Sequence, residues 1–204
     1  MDQLKHILLG ATLALGLLAG CDRMGGSAQM PSFKAVDITG AEYARELSLP
    51  DADGNMRQLS DFKGKVTLVF FGFTQCPDVC PSTLAELAAV KRDLGKDGER
   101  VQGVFVSVDP ERDTPQILKA YMASFGPDFI ALRGTPEQTK TAAQDFKVFY
   151  AKSPGKTEGS YTIDHTAGSY VFDAQGKVRL FVRYGGVAEA LRHDLKLLLD
   201  ESPA

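Results

Sequence analysis

The chain has 204 residues, 44% hydrophobic and 24% charged, which fits one globular domain with a short appendage. A net charge of −3 argues against a nucleic-acid partner, which selects a basic surface. Three cysteines (Cys21, Cys76, Cys80) and three histidines (His6, His165, His193) are the residues whose placement bears most on chemistry.

At the N-terminus, Lys5 and His6 precede an apolar run from Ile7 to Leu18, and Ala19-Gly20 stand directly before Cys21. This is the layout of a secretory signal with a small-residue cleavage site, although Asp2 offsets Lys5. The run is shorter than the ~20 apolar residues a membrane-spanning helix needs. Leu18-Ala19-Gly20-Cys21 resembles the bacterial lipobox, which implies cleavage before Cys21 and lipid on its thiol. Residues 1–20 are then a lipoprotein signal peptide, 21–37 a lipidated tether and 38–204 the folded domain. Gly25-Gly26-Ser27 and Pro31 break structure within the tether. An ordinary signal peptide or an uncleaved anchor would also place the domain outside the cytoplasm.

Farther along, Leu49-Pro50-Asp51-Ala52-Asp53-Gly54 predicts a strand and a hairpin turn, and Leu59 to Lys65 a short turn. Val66 to Phe71 is continuously apolar, as in a strand buried on both faces. Leu84, Leu87, Ala88 and Leu94 predict a helix over 82–94, and Val104 to Val108 a second buried strand. Pro115 fits the first turn of a helix reaching about Phe125, with Asp113 or Thr114 as its cap. A further short strand and a helix over 136–146 follow. Ser169–Phe172 and Val178–Val182 flank a turn and predict a hairpin, and Val187, Leu191, Leu195 and Leu198 mark a last amphipathic helix. This order gives an α/β, thioredoxin-like fold: a central mixed sheet flanked by helices, with an N-terminal extension hairpin.

With Cys21 assigned to lipid, Cys76 and Cys80 are the remaining thiols. An oxidising compartment makes the pair a disulfide, a redox couple or a metal site. They lie in Cys76-Pro77-Asp78-Val79-Cys80-Pro81, after a buried strand and at the opening of a helix, where the helix N-terminus favours thiolate. Their spacing puts them one turn apart, compatible with a disulfide, which fails beyond about 7 Å between Cα atoms, or with one chelated ion. His6 leaves with the signal, and His193, between Arg192 and Asp194, is expected on the solvated surface. His165 stands just before the predicted hairpin, whose first strand should run antiparallel to 66–71 and so begin at the edge that holds the cysteines. Two thiolates and one imidazole suit Cu(I), whereas a closed zinc site wants a fourth protein ligand.

Three separated stretches carry a family resemblance: Phe71-Gly72-Phe73-Thr74-Gln75-Cys76-Pro77-Asp78-Val79-Cys80-Pro81, Val108-Asp109-Pro110-Glu111-Arg112-Asp113-Thr114-Pro115 and Asp164-His165-Thr166. Together they resemble the Sco/SenC family, thioredoxin-fold copper chaperones for cytochrome c oxidase, over about Ile38 to Leu199. Phe73 departs from the usual tyrosine. The resemblance implies that Cys76, Cys80 and His165 bind copper, and that Cys76 and Cys80 form a redox disulfide in the oxidised, copper-free state. It implies as partners the copper-bearing subunit of cytochrome c oxidase and other periplasmic copper chaperones or thiol reductants. The lipobox resemblance places the protein on the periplasmic face of a bacterial membrane, lipid-anchored at Cys21 in place of a membrane-spanning helix. A thiol–disulfide oxidoreductase acting on partner cysteines is the competing, enzymatic reading. Against it, Cys76 and Cys80 have one residue more between them than the usual Cys-x-x-Cys pair, and no proline adjoins His165. Asp78 has a turn, a cap or an influence on copper release or partner docking as its alternative roles. Asp109 to Asp113 offer a charged docking face or local pairing, and Asp164 is positioned to orient His165. The polar segment 153–160 is expected to be a mobile loop beside that histidine.

Overall fold

The computed structural model describes residues 32–185 and 187–202. The signal segment, Cys21 and most of the tether therefore lie outside the described residues. Strands β4 (Val66–Gly72) and β5 (Val101–Ser107) are buried at all seven positions each. Their continuous Val, Leu and Phe content is what a strand covered on both faces requires. Around them a six-stranded sheet forms in the order β1-β10-β9-β4-β5-β6. Its other members are β1 (Val36–Asp37), β6 (Ile130–Leu132), β9 (Gly168–Phe172) and β10 (Val178–Arg183). β4, β5 and β6 are parallel, while β9 is antiparallel to β4, β10 to β9 and β1 to β10.

The helices are α1 (Val79–Asp93), α2 (Pro115–Ala123), α3 (Pro136–Asp145) and α4 (Val187–Asp200). α1 packs against α4, and α2 against β6. The mixed sheet and its helices are the predicted fold class. Thr114, not Asp113, caps α2 by accepting from the Ile117 N–H, and Pro115 occupies the first turn. Thr135 and Gln138 close a reciprocal capping box on α3. α1 begins three residues before the predicted 82, because the first-turn amides of a helix have no partner and Pro81 loses nothing there. The predicted N-terminal hairpin is β2 (Ser48–Pro50) and β3 (Met56–Gln58), a separate two-stranded sheet. Gly54, at φ 87°, takes the left-handed position of its turn.

Two features depart from the sequence reading. The first is a ribbon of β7 (Tyr150–Pro154) and β8 (Tyr161–His165), paired with each other and, among the described residues, with no other strand. Ser153 and Pro154 of the expected loop thus belong to β7, and Gly155 N–H donates to the Ser160 carbonyl at 2.9 Å to close the turn. The mixed polar sequence of β7 lacks the alternation that marks a half-buried strand. The second is a clasp on α4. Asp194 is fully buried and accepts from the backbone N–H groups of Lys34 (2.9 Å) and Ala35 (2.8 Å), fixing the chain as it enters the domain. His193 is only partly exposed, and its Nδ1 lies 2.7 Å from Asp194 Oδ1.

Candidate metal centre

β4 ends at Gly72, and the following loop carries Cys76 before α1 opens with Cys80 in its first turn. Gly72 permits this approach, since a Cβ there would stand 2.8 Å from Cys80 Sγ and 2.9 Å from atoms of the Phe70 and Phe105 rings. Cys80 is buried and Cys76 partly exposed. His165 arrives from the other direction as the last residue of β8. Because β9 runs antiparallel to β4, with Ser169 opposite Phe70, the chain entering β9 lies at the edge where β4 leaves.

Cys80 Sγ lies 3.4 Å from His165 Nε2, and the two sulfurs and Nε2 all fall within 4.8 Å of one another. Among the described residues this is the metal-competent group of His, Cys and carboxylate side chains. His165 Nδ1 is 3.1 Å from the Thr166 carbonyl, which takes its N–H and leaves the Nε2 lone pair facing the sulfurs. Phe70 and Phe73 pack edge-on around the imidazole, each with ring centroids 5.9 Å away. The expected convergence of the three residues is therefore present.

The two thiols are electrostatically unlike. Hydrogen bonding from the Cys80 thiol pulls the Cys76 pKa well below the ordinary thiol range. Burial opposes this, and the N–H groups of Cys80 and Asp78 assist it. The Cys80 N–H donates to Cys76 Sγ at 3.4 Å. Cys80 moves the other way, because it is the donor to Cys76 and because it is buried. Of the pair, Cys76 is the more acidic thiol.

Of the two roles open to Asp109 and Asp113, the structure has local pairing. Asp109 and Asp113 are 1% and 0% exposed, so neither contributes to a docking face. Asp113 instead accepts from Thr74 Oγ1 (2.6 Å) and Ser107 Oγ (2.6 Å), which ties the cysteine loop to the end of β5. Burial raises its pKa, against the lowering effect of those bonds. Arg112 pairs with Asp109. Asp164 accepts from Ser153 Oγ across the ribbon at 2.5 Å and does not reach His165, because neighbours on a strand point to opposite faces. Asp78 occupies the N-cap position of α1 but makes no side-chain bond to the helix amides, and its carboxylate accepts from Ser82 Oγ at 3.3 Å. Gly72, Thr74 and Ser107 were not singled out from sequence. A glycine ending an otherwise apolar strand was the available signal for the first.

The donor set fits a soft ion. Sulfur and imidazole bind zinc at about 2.0–2.3 Å, which sets donors on one ion roughly 3.5–4 Å apart, and the three atoms need only a small contraction to reach this. Thiolate with imidazole suits copper or zinc.

A family model described as SCO1/SenC matches residues 36–200. The chain belongs to the SCO1/SenC family. Among curated relatives, the SCO2-like protein of Rickettsia felis is 39% identical over 133 residues, 65% of each chain. The match thus spans just under two thirds of that relative's length. Among solved structures, copper-bound ScoI of Bradyrhizobium japonicum is 42% identical, with a TM-score of 0.64, covering 74% of this chain and 96% of that one. A SCO1/SenC family lipoprotein of Bacillus anthracis is 26% identical, with a TM-score of 0.65, covering 82% and 99%. These SCO1/SenC structures thus share the thioredoxin-like fold over 74% and 82% of this chain.

Proposed function

We propose that this protein is a membrane-tethered copper chaperone that delivers copper to, or prepares, the binuclear copper centre of cytochrome c oxidase. The observation that carries the reading is the meeting of Cys76 Sγ, Cys80 Sγ and His165 Nε2 within 4.8 Å at one sheet edge. Copper is cargo here. The partly exposed Cys76 sulfur meets the incoming ion, Cys80 releases its proton to solvent as it becomes the second sulfur donor, and the Nε2 lone pair is the third donor. Three donors from two chain segments hold copper while leaving its remaining positions to a receiving protein. The copper-bound B. japonicum relative supports the choice of metal.

The partner is the copper-bearing subunit of the oxidase, with other periplasmic copper chaperones or thiol reductants acting upstream. Cys21 carries the lipid anchor, in keeping with the lipoprotein character of the B. anthracis family member. Among the described residues no helix is long and apolar enough to cross a membrane.

Titration of Cu(I) into the reduced protein tests the reading. Tight one-to-one binding is expected. His165→Ala should weaken it by more than the roughly tenfold lost when only a ligand's supporting group is removed. Wild-type and variant affinities that coincide would refute it.

A second reading has its own observation. The unequal pair, a low-pKa Cys76 beside a protonated Cys80, is also the arrangement of an attacking and a resolving thiol. Cys76 and Cys80 would then form a disulfide while reducing a partner's cysteines. That activity should persist in His165→Ala, whereas copper handling should not.

A further inference from the structure

His165 is carried by a strand outside the six-stranded sheet, whereas Cys76 and Cys80 follow directly from its central strand β4. The β7–β8 ribbon pairs only with itself, so its backbone ladder does not fix where the imidazole stands. Besides its chain connection to β9 and the buried Ile163, its attachments are polar contacts that converge on the loop 109–113. Tyr161, at the far end of β8 from His165, donates its hydroxyl to Asp109 Oδ1 at 2.9 Å. Arg112 Nη1 donates to the Tyr161 carbonyl at 2.8 Å, and the guanidinium lies 3.6 Å from the centre of the Tyr161 ring. Lys152 of β7 pairs with Glu111 at 2.7 Å. Arg112 also approaches the Phe73 ring at 5.7 Å, and Phe73 is one of the two rings packed on His165. The same loop grips the cysteine segment through Asp113 and Thr74.

From these contacts we infer that Arg112 and Tyr161 are positioning residues for copper binding, holding His165 against the thiol pair. The inference rests on the copper reading above. Neither residue touches the metal. Arg112, neutralised by the buried Asp109, locks Tyr161, and Tyr161 locks β8. The loop 109–113 is therefore a common mount for both halves of the site, Asp113 serving the cysteines and Asp109 with Arg112 serving the histidine.

The test is a mutant cycle on the full protein. Tyr161→Leu and Arg112→Gln are combined singly with His165→Ala, with Cu(I) affinity and amide exchange as readouts. Each single variant is expected to lower affinity by about tenfold, the lower end of the loss when groups orienting a metal ligand are removed. In the His165→Ala background the same changes should have no further effect. Without copper, the amides of Ile163 and His165 should exchange faster while those of β4 and β5 keep wild-type protection. If Arg112→Gln disturbs β4 or β5, Tyr161→Phe decides, since it removes only the bond to Asp109 and should produce the same pattern in smaller degree. Equal losses with and without His165, or wild-type affinity despite faster β8 exchange, would overturn the inference. Failure of wild type to bind copper at all would instead overturn the function on which it rests.

Discussion

At Gly72 the backbone of β4 touches the sulfur it presents. A methyl group there must displace Cys80 Sγ or the rings of Phe70 and Phe105, all within 2.9 Å of its position. Gly72→Ala should destabilise the fold by about 1–3 kcal/mol, the usual cost of overpacking, and weaken copper binding together with it. Chemical denaturation and copper titration of the same sample check both effects. The thiols allow a second expectation at this scale. A thiol reacts as its thiolate, whose fraction rises as pH passes its pKa. Cys76, with its pKa lowered, should therefore be alkylated at pH values where an ordinary thiol is inert. Because the Cys80 thiol is the largest source of that lowering, Cys80→Ala should move the alkylation profile to higher pH. A profile unchanged by the substitution would contradict the hydrogen-bond assignment. The ligands themselves were legible in the sequence, since two cysteines one turn apart and one histidine before a hairpin are few enough to weigh individually. Gly72, Thr74 and Tyr161 were not, because their value lies in what stands opposite them in space.

Among the elements, α4 has a role beyond covering the sheet. Its buried Asp194 accepts two backbone N–H groups from residues 34 and 35, joining the last helix to the first residues of the domain. Asp194→Asn keeps the shape and removes the charge, and should cost about 1.5–3 kcal/mol, the worth of hydrogen bonds to a charged group. The effect should be local: faster amide exchange at Lys34 and Ala35, with β4 and β5 protected as before. Uniformly faster exchange would mean that the clasp supports the whole domain instead. Among the described residues the central strands were readable from their unbroken apolar runs, and the first and last of the four α-helices from their apolar spacing. The β7–β8 ribbon was not. Its strands carry lysine, serine and proline at one end, their apolar contribution is confined largely to Ile163, and polar clamps in place of a hydrophobic face hold them.

For the molecule as a whole, the order of elements was enough to place His165 beside the cysteines. A strand that returns antiparallel to β4 must begin where β4 ends, and this holds whatever the side chains are. The lipid attachment proposed at Cys21 is a separate property, which rests on the sequence of the first 21 residues alone. Cys21→Ser should release the protein into the soluble envelope fraction while leaving copper affinity unchanged, as fractionation and titration of the released protein would show. Retention in the membrane fraction would count against lipid at Cys21.

The partners in the Cys80–His165 contact are 85 residues apart in the chain. An unfolded or half-made chain therefore offers a pair of sulfurs but no third donor. Full affinity appears only once β9 has docked on β4 and the ribbon is fastened. Tight metal capture is thereby a certificate of completed folding, and a misassembled copy should surrender its ion to its finished neighbours.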